Sequence, residues 1–241
     1  MRLLHTSDWH LGHTLHDADR TEEHEAFLDW LARTIAERDV DALLVTGDVF
    51  DSANPPASAQ RLWYRFLVEA GRERKGLQIV AIAGNHDSAA RLEAPREVLS
   101  SLNVHVVGEL PRDDGKLDAA RLLVPLKDKD DRTRAWVAAV PYLRPTDLAG
   151  VDGGDDEAFG VDPDAGRIAS VYAEAAALAR SRRQDGEAIV VTGHLYAAGG
   201  SLSEKSERKI QKGNLEAVPD AAFADEFAYV ALGHLHLAQD R

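Results

Sequence analysis

Five stretches of the chain share one pattern: an apolar run that gives way, at its carboxyl end, to small residues and then to Asp, Asn or His. The runs are residues 1–7, Ala42–Thr46, Gln78–Ile82, Ala188–Thr192 and Tyr229–Leu232. Their length predicts strands, and the unbroken apolar character of Ala42–Thr46 predicts a strand covered on both faces. Between them the spacing becomes helical. From Thr21, Glu22, Glu23 and Glu25 place negative charge in a first turn, and Phe27, Leu28, Leu31 and Ile35 follow at helical intervals. Asn54-Pro55-Pro56 breaks the chain before a second helix carrying Leu62, Phe66 and Ala70, with Gly71 as its expected stop. A third helix carries Leu92, Val98 and Leu99, and a fourth spans Ile168–Arg183. Val104–Val107 reads as a further short strand, and Leu122–Pro125 with Trp136–Val140 as a hairpin across a polar turn. Trp63 and Tyr64 fall off the stripe of the second helix and are assigned to core, the commoner fate of such side chains. His13, His16 and His24 are assigned to the surface, with His13 and His16 as candidates to touch a substrate.

Composition narrows the chemistry. With 241 residues the chain can bury a substantial core. No apolar run approaches the roughly 18 residues of a membrane helix, and the N-terminal apolar stub is too short for a secretory signal. There are no cysteines, which removes disulfides and thiolate metal sites and fits a reducing, cytoplasmic setting. The 28 Lys and Arg stand against 41 Asp and Glu, a net charge of −13. That balance argues against a general polyanion-binding surface, unless the site brings its own cations.

The five run ends supply those candidates. Asp8-Trp9-His10 follows the first; on an extended chain Asp8 and His10 share a side while Trp9 points away. Gly47-Asp48 follows the second, and Asp48 offers two oxygens able to bridge two ions. Gly84-Asn85-His86-Asp87 follows the third, giving a neutral oxygen ligand, an imidazole that titrates near neutral pH, and a carboxylate placed to orient it. Gly193-His194 follows the fourth, and Gly233-His234-Leu235-His236 the last, with its two imidazoles on one face by the same period-two geometry. Singly, each motif is an ordinary turn. Together they offer seven oxygen and nitrogen ligands: Asp8, His10, Asp48, Asn85, His194, His234 and His236. One ion needs far fewer, and a pair bridged by Asp48 uses them naturally. The ligand types suit manganese, iron or zinc, and two divalent ions bring about +4 to the pocket, so the site suits a phosphate. The acidic stretch 150–166 lacks the spacing of a calcium loop. The segment 197–214 carries Lys205, Arg208, Lys209 and Lys212, a basic patch able to meet a phosphate backbone.

In this order the motifs resemble the five blocks of the calcineurin-like metallophosphoesterases. Asp8-Trp9-His10-Leu11-Gly12, Gly47-Asp48-Val49-Phe50-Asp51, Asn54-Pro55 and Ala231-Leu232-Gly233-His234-Leu235-His236 are similar to the SbcD-type nuclease subunits of that superfamily, and the resemblance covers nearly all of residues 1–241. It implies an α/β fold, a four-layer sandwich of two packed mixed sheets flanked by helices. It implies that Asp8, His10 and His236 hold one ion, that Asn85, His194 and His234 hold the other, and that Asp48 bridges. His86 is implied as the catalytic group, oriented by Asp87. The implied activity is a manganese-dependent DNA nuclease, a 3′-to-5′ exonuclease on duplex ends and an endonuclease on single strands and hairpins, partnered by an SbcC-type ATPase. The alternatives are a small-molecule phosphodiesterase or phosphatase of the same superfamily, and a scaffold subunit without catalysis. By the same resemblance, 1–241 is one dimetal nuclease domain cut short of a capping domain and ATPase-binding helices. A homodimer is expected through helices 57–70 and 91–101, with Leu62, Phe66 and Leu99 as candidate contacts.

Overall fold

The computed structural model describes residues 1–153, 163–197, 218–223 and 225–239. Strand β1 (Leu3–Thr6) leads through a small hairpin, β2 (Thr14–Leu15) and β3 (Ala18–Asp19), into helix α1 (Thr21–Glu37). Then come β4 (Ala42–Thr46), α2 (Ala57–Glu73), β5 (Gln78–Ile82), the short helices α3 (Ala89–Glu93) and α4 (Arg96–Ser100), and β6 (Val104–Val107). The second half has a hairpin, β7 (Arg112–Asp113) and β8 (Lys116–Leu117), then β9 (Leu123–Lys127), β10 (Thr133–Ala139), α5 (Pro163–Arg182), β11 (Ala188–His194) and β12 (Tyr229–Gly233).

Two four-stranded sheets result. The first runs β1-β4-β5-β6 and is parallel throughout, because helices carry the chain back between successive strands. The second runs β12-β11-β10-β9; only β9, joined to β10 by a tight hairpin, is antiparallel. The sheets face each other, β10 and β11 against β5, and β11 and β12 against β4.

Period-two alternation divides the first sheet between two cores. Ala42, Leu44, Val80 and Ile82 point to the core shared with the second sheet and α5. Leu43, Val45, Ile79 and Ala81 point to the other side, against α1 and α2. There α1 contributes Leu28, Leu31 and Ile35, and α2 contributes Leu62, Trp63, Phe66 and Ala70. The layers are therefore helix, sheet, sheet, helix, as the resemblance implies, and the strand and hairpin assignments hold to within three residues, the largest difference being β10, which starts at Thr133 and not Trp136.

Several local expectations do not hold. Gly71 does not end α2, which runs on to Glu73; one glycine in a helix costs only about 1 kcal/mol, too little to stop it. The third predicted helix is two, α3 and α4, because Pro95 lacks the N–H a continuous helix needs. Leu62, Phe66 and Leu99 are buried in this chain's own core and so do not present a dimer contact. Val98, and beside it Leu102, are exposed instead, with Tyr64 and Val68 at the margin of exposure on α2. His24, assigned to the surface, is buried within α1. Trp63 is core as expected, whereas Tyr64 is not. Of the two charged segments, residues 154–162 and 198–214 lie outside the described residues, and Lys205, Arg208, Lys209 and Lys212 with them. Among the described residues no helix is long and apolar enough to cross a membrane.

Candidate metal centre

Every parallel strand end points the same way, so the ends of β1, β4, β5, β11 and β12 open on one rim. The segments beyond β1 and β4 run side by side: Asp8 N–H donates to Gly47 O at 3.0 Å, His10 N–H to Asp48 O at 3.0 Å, and Leu11 N–H to Val49 O at 2.9 Å. Asp8 and Asp48 thereby become neighbours. The extended geometry expected at Asp8-Trp9-His10 is absent, since Asp8 and His10 both have left-handed backbone, φ 56° and 45°. The outcome survives because Trp9 is pinned behind them. Its ring meets those of Phe66, Trp63 and Phe27 edge-on at 5.2, 5.6 and 5.8 Å, and its indole N–H donates to Thr6 Oγ1. Asp48 and His234 are left-handed as well, φ 49° and 93°. Such conformations cost about 1–3 kcal/mol each where the residue is not glycine, less for Asp, and here four of them fall on candidate ligands.

Close approach explains two of the motif glycines. A β-carbon at Gly84 would stand 2.1 Å from Asp48 Oδ1, and one at Gly233 would stand 2.0 Å from Thr46 O. Only a residue without one lets β5 and β12 deliver their ligands this close to β4.

The seven candidate ligands all meet here. Asp8 Oδ1 is 3.5 Å from His236 Nε2, and His236 Nε2 is 3.3 Å from His10 Nε2. Asp48 Oδ2 lies 3.4 Å from His194 Nε2 and 3.8 Å from His10 Nε2. Asn85 Oδ1 sits between His194 Nε2 at 3.0 Å and His234 Nδ1 at 3.1 Å. Among the described residues, three groups have ligand atoms all within 4.8 Å of one another: Asp8, His10 and His236; His10, Asp48 and His86; and Asp8, Asp48 and His194. His194 Nδ1 is taken by Thr46 O at 2.8 Å, which turns Nε2 toward the carboxylates.

The electrostatics suit a cation. Asp8 lies far below the usual carboxylate range: burial opposes ionisation, but hydrogen bonding from His236, the charge of His194, the Ser7 hydroxyl and the His234 N–H outweigh it. Asp48 is lowered in the same way, burial being overcome by His194 and the His86 N–H, which donates to Oδ1 at 2.9 Å. His194 is raised to about 9, because the Asp48 carboxylate beside it outweighs its burial. Without metal, a proton on a buried imidazole compensates the buried carboxylates. A divalent ion can take over that role and displace the proton. Carboxylates held ionised, imidazole nitrogens turned inward and an amide oxygen form a donor set that fits a hard or borderline divalent cation.

His86 stands over this group, its ring 4.9 Å from that of His10 at 83°. Its Nδ1 is 2.8 Å from the Asp51 carbonyl. The expected partner, Asp87, does not orient it. The Asp87 carboxylate is buried and accepts N–H bonds from Gly84 (2.9 Å), Phe50 (2.9 Å) and Val49 (3.2 Å), tying the turn after β5 to the turn after β4. Burial pushes its carboxyl up despite those donors. His13 lies at the rim, its Nδ1 3.0 Å from Asp51 Oδ1, while His16 is exposed in the β2–β3 turn. Sequence reasoning missed Asp51 and also Arg144, whose guanidinium lies over the Tyr142 ring at 5.6 Å and donates to Asp87 O at 3.3 Å. Neither stood out as a ligand type just past an apolar run, the signal that found the others.

The profile of the calcineurin-like phosphoesterase family matches residues 1–238. Among curated proteins, the chain is 46% identical over 242 residues to the SbcD subunit of the SbcCD nuclease of Rhodobacter capsulatus, covering 99% of this chain and 58% of that protein. To the corresponding SbcCD nuclease subunit of Escherichia coli K12 it is 39% identical over 245 residues, covering 99% and 57%. To that of Bacillus subtilis it is 33% identical over 244 residues, covering 99% and 58%. The chain thus spans somewhat more than half the length of these relatives.

Proposed function

The chain belongs to the calcineurin-like phosphoesterase family, and we propose that it is the nuclease module of an SbcCD-type DNA-processing complex, working in the cytoplasm on two manganese ions. The observation that carries this reading is the convergence of seven oxygen and nitrogen ligands from five strand ends, with His86 above them, in a chain similar over 99% of its length to nuclease subunits. In it, Asp8, His10 and His236 would hold one ion, Asn85, His194 and His234 would hold the other, and Asp48 would serve both. Bound there, the ions would supply a water of lowered pKa and neutralise charge on the phosphodiester.

The chain's own groups do the rest. Asp8 and Asp48 stay ionised across the physiological range, so the ligand set needs no prior deprotonation at the carboxylates. His86, with Nδ1 held by the Asp51 carbonyl, keeps Nε2 to give a proton to the leaving oxygen or to stabilise the transition state. Asp87 acts beneath, fixing the loops that carry Asp48 and Asn85. The substrate is DNA, cut as a 3′-to-5′ exonuclease on duplex ends and as an endonuclease on single strands and hairpins, with an SbcC-type ATPase as partner. Pairing of two copies through α2 and α3–α4 would use Tyr64, Val68 and Val98, in place of Leu62, Phe66 and Leu99.

The net charge of −13 favours a second reading, a phosphodiesterase for small substrates. End-labelled duplex and circular single-stranded DNA, incubated with manganese beside a small chromogenic phosphodiester, separate the two. Cleavage of both DNAs is the expected result. Turnover of the small ester with neither DNA cut would overturn the DNA reading while keeping the metal chemistry.

A further inference from the structure

Asp51 touches three imidazoles at the rim. It follows the turn after β4 and is tied there by its own N–H, which donates to Leu11 O at 3.2 Å. Its carboxylate Oδ1 is 3.0 Å from His13 Nδ1 and 3.5 Å from His10 Nδ1. Its carbonyl oxygen meets His86 Nδ1 at 2.8 Å. His10 presents Nε2 to His236 and Asp48, so Nδ1 faces the other way, where it is buried and has no hydrogen-bond partner among the described residues. A buried ring nitrogen without a partner is costly. A histidine that ligates through Nε2 carries its proton on Nδ1 and is ordinarily fixed by an acceptor behind it. The Asp51 carboxylate is that acceptor in waiting: a shift of roughly half an ångström brings the contact within hydrogen-bond range.

We infer that Asp51 is a positioning residue serving two imidazoles at once, its carboxylate accepting Nδ1–H of the metal ligand His10 and its carbonyl accepting Nδ1–H of His86. The inference rests on the metal assignment proposed above and deepens it. One residue then sets the spacing between a ligand and the proton donor, and His13 steadies the carboxylate from the solvent side.

The test is calorimetric titration of manganese into the metal-free 241-residue chain, for the wild type and for Asp51→Ala, Asp51→Leu and Asp51→Asn, with thermal melting of each as the folding control. Alanine and leucine remove the acceptor, and leucine keeps the bulk should alanine fail to fold. Both are expected to weaken the ion held by Asp8, His10 and His236 by about 10–100-fold, the usual cost of losing such an outer partner, and to leave the other ion unchanged. Asparagine keeps an acceptor oxygen and is expected to recover most of that loss. Wild-type affinity in the alanine and leucine variants overturns the inference, as does an asparagine variant as impaired as the alanine one. A wild-type chain that binds fewer than two ions removes the metal assignment itself, a result distinct from either.

Discussion

Replacing Gly84 with alanine probes how two neighbouring strands of the first sheet, β4 and β5, deliver the site. The added β-carbon would stand 2.1 Å from Asp48 Oδ1, 2.3 Å from Asp48 N and 2.7 Å from Asp48 Cγ, where ordinary contact begins at 3.4 Å. In an interior packed at crystal density, the carboxylate must give way by roughly 1 Å. It cannot take the backbone with it easily, because Asp48 O accepts the His10 N–H and Asp48 Oδ1 accepts the His86 N–H. Ligand distances tolerate only about 0.2 Å, so both ions should weaken together, and a misplacement near 1 Å lowers turnover about 10²-fold. Overpacking should also cost about 1–3 kcal/mol of stability. The assays are manganese titration, urea unfolding of the metal-free chain and initial rates on a phosphodiester. A Gly84→Ala chain that binds two ions with unchanged affinity and unfolds at the wild-type midpoint would refute the packing of Gly84 on Asp48.

Gly71→Ala is the matched control: among the described residues nothing lies within 4 Å of the new carbon and the site lies within α2, so urea unfolding should show a gain of about 0.5–1 kcal/mol. His86→Ala should keep metal binding and lose turnover by about 10²–10⁴-fold; loss of the ions instead would contradict its role as proton donor. His24, chiefly through burial, is held below its ordinary value of 6.5, so the unfolded chain takes up the proton first. The stability it contributes is whole above that value and is lost as pH falls through the lower folded value. Urea midpoints of the metal-free chain at pH 7.5 and 5.5 should therefore fall less in His24→Leu than in the wild type, and equal falls would contradict the assignment.

β4, β5 and β11 were legible because burial on both faces leaves an almost unbroken apolar run, and α1 and α2 because their buried stripes recur at helical spacing. The ligands were legible because parallel strands put their carboxyl ends on one rim. What escaped had a local cause. Period-two reasoning at Asp8-Trp9-His10 assumed extended backbone, whereas a left-handed pair does the same work once Trp9 is locked among Phe27, Trp63 and Phe66. Asp87 was matched to its sequence neighbour, but three buried N–H groups compete for its oxygens more strongly than one half-buried imidazole. His24 was judged by polarity, yet it falls on the buried face of α1 with Leu28, Leu31 and Ile35. Asp51 could not be read from spacing, because its importance lies in which atoms face it across the rim.

Counting manganese per chain tests the bridged pair most directly. After loading and removal of unbound ion, the wild-type chain should carry two ions, and Asp48→Ala should lose both together. A single ion in the wild type, or an Asp48→Ala chain that keeps one ion at full occupancy, would contradict it.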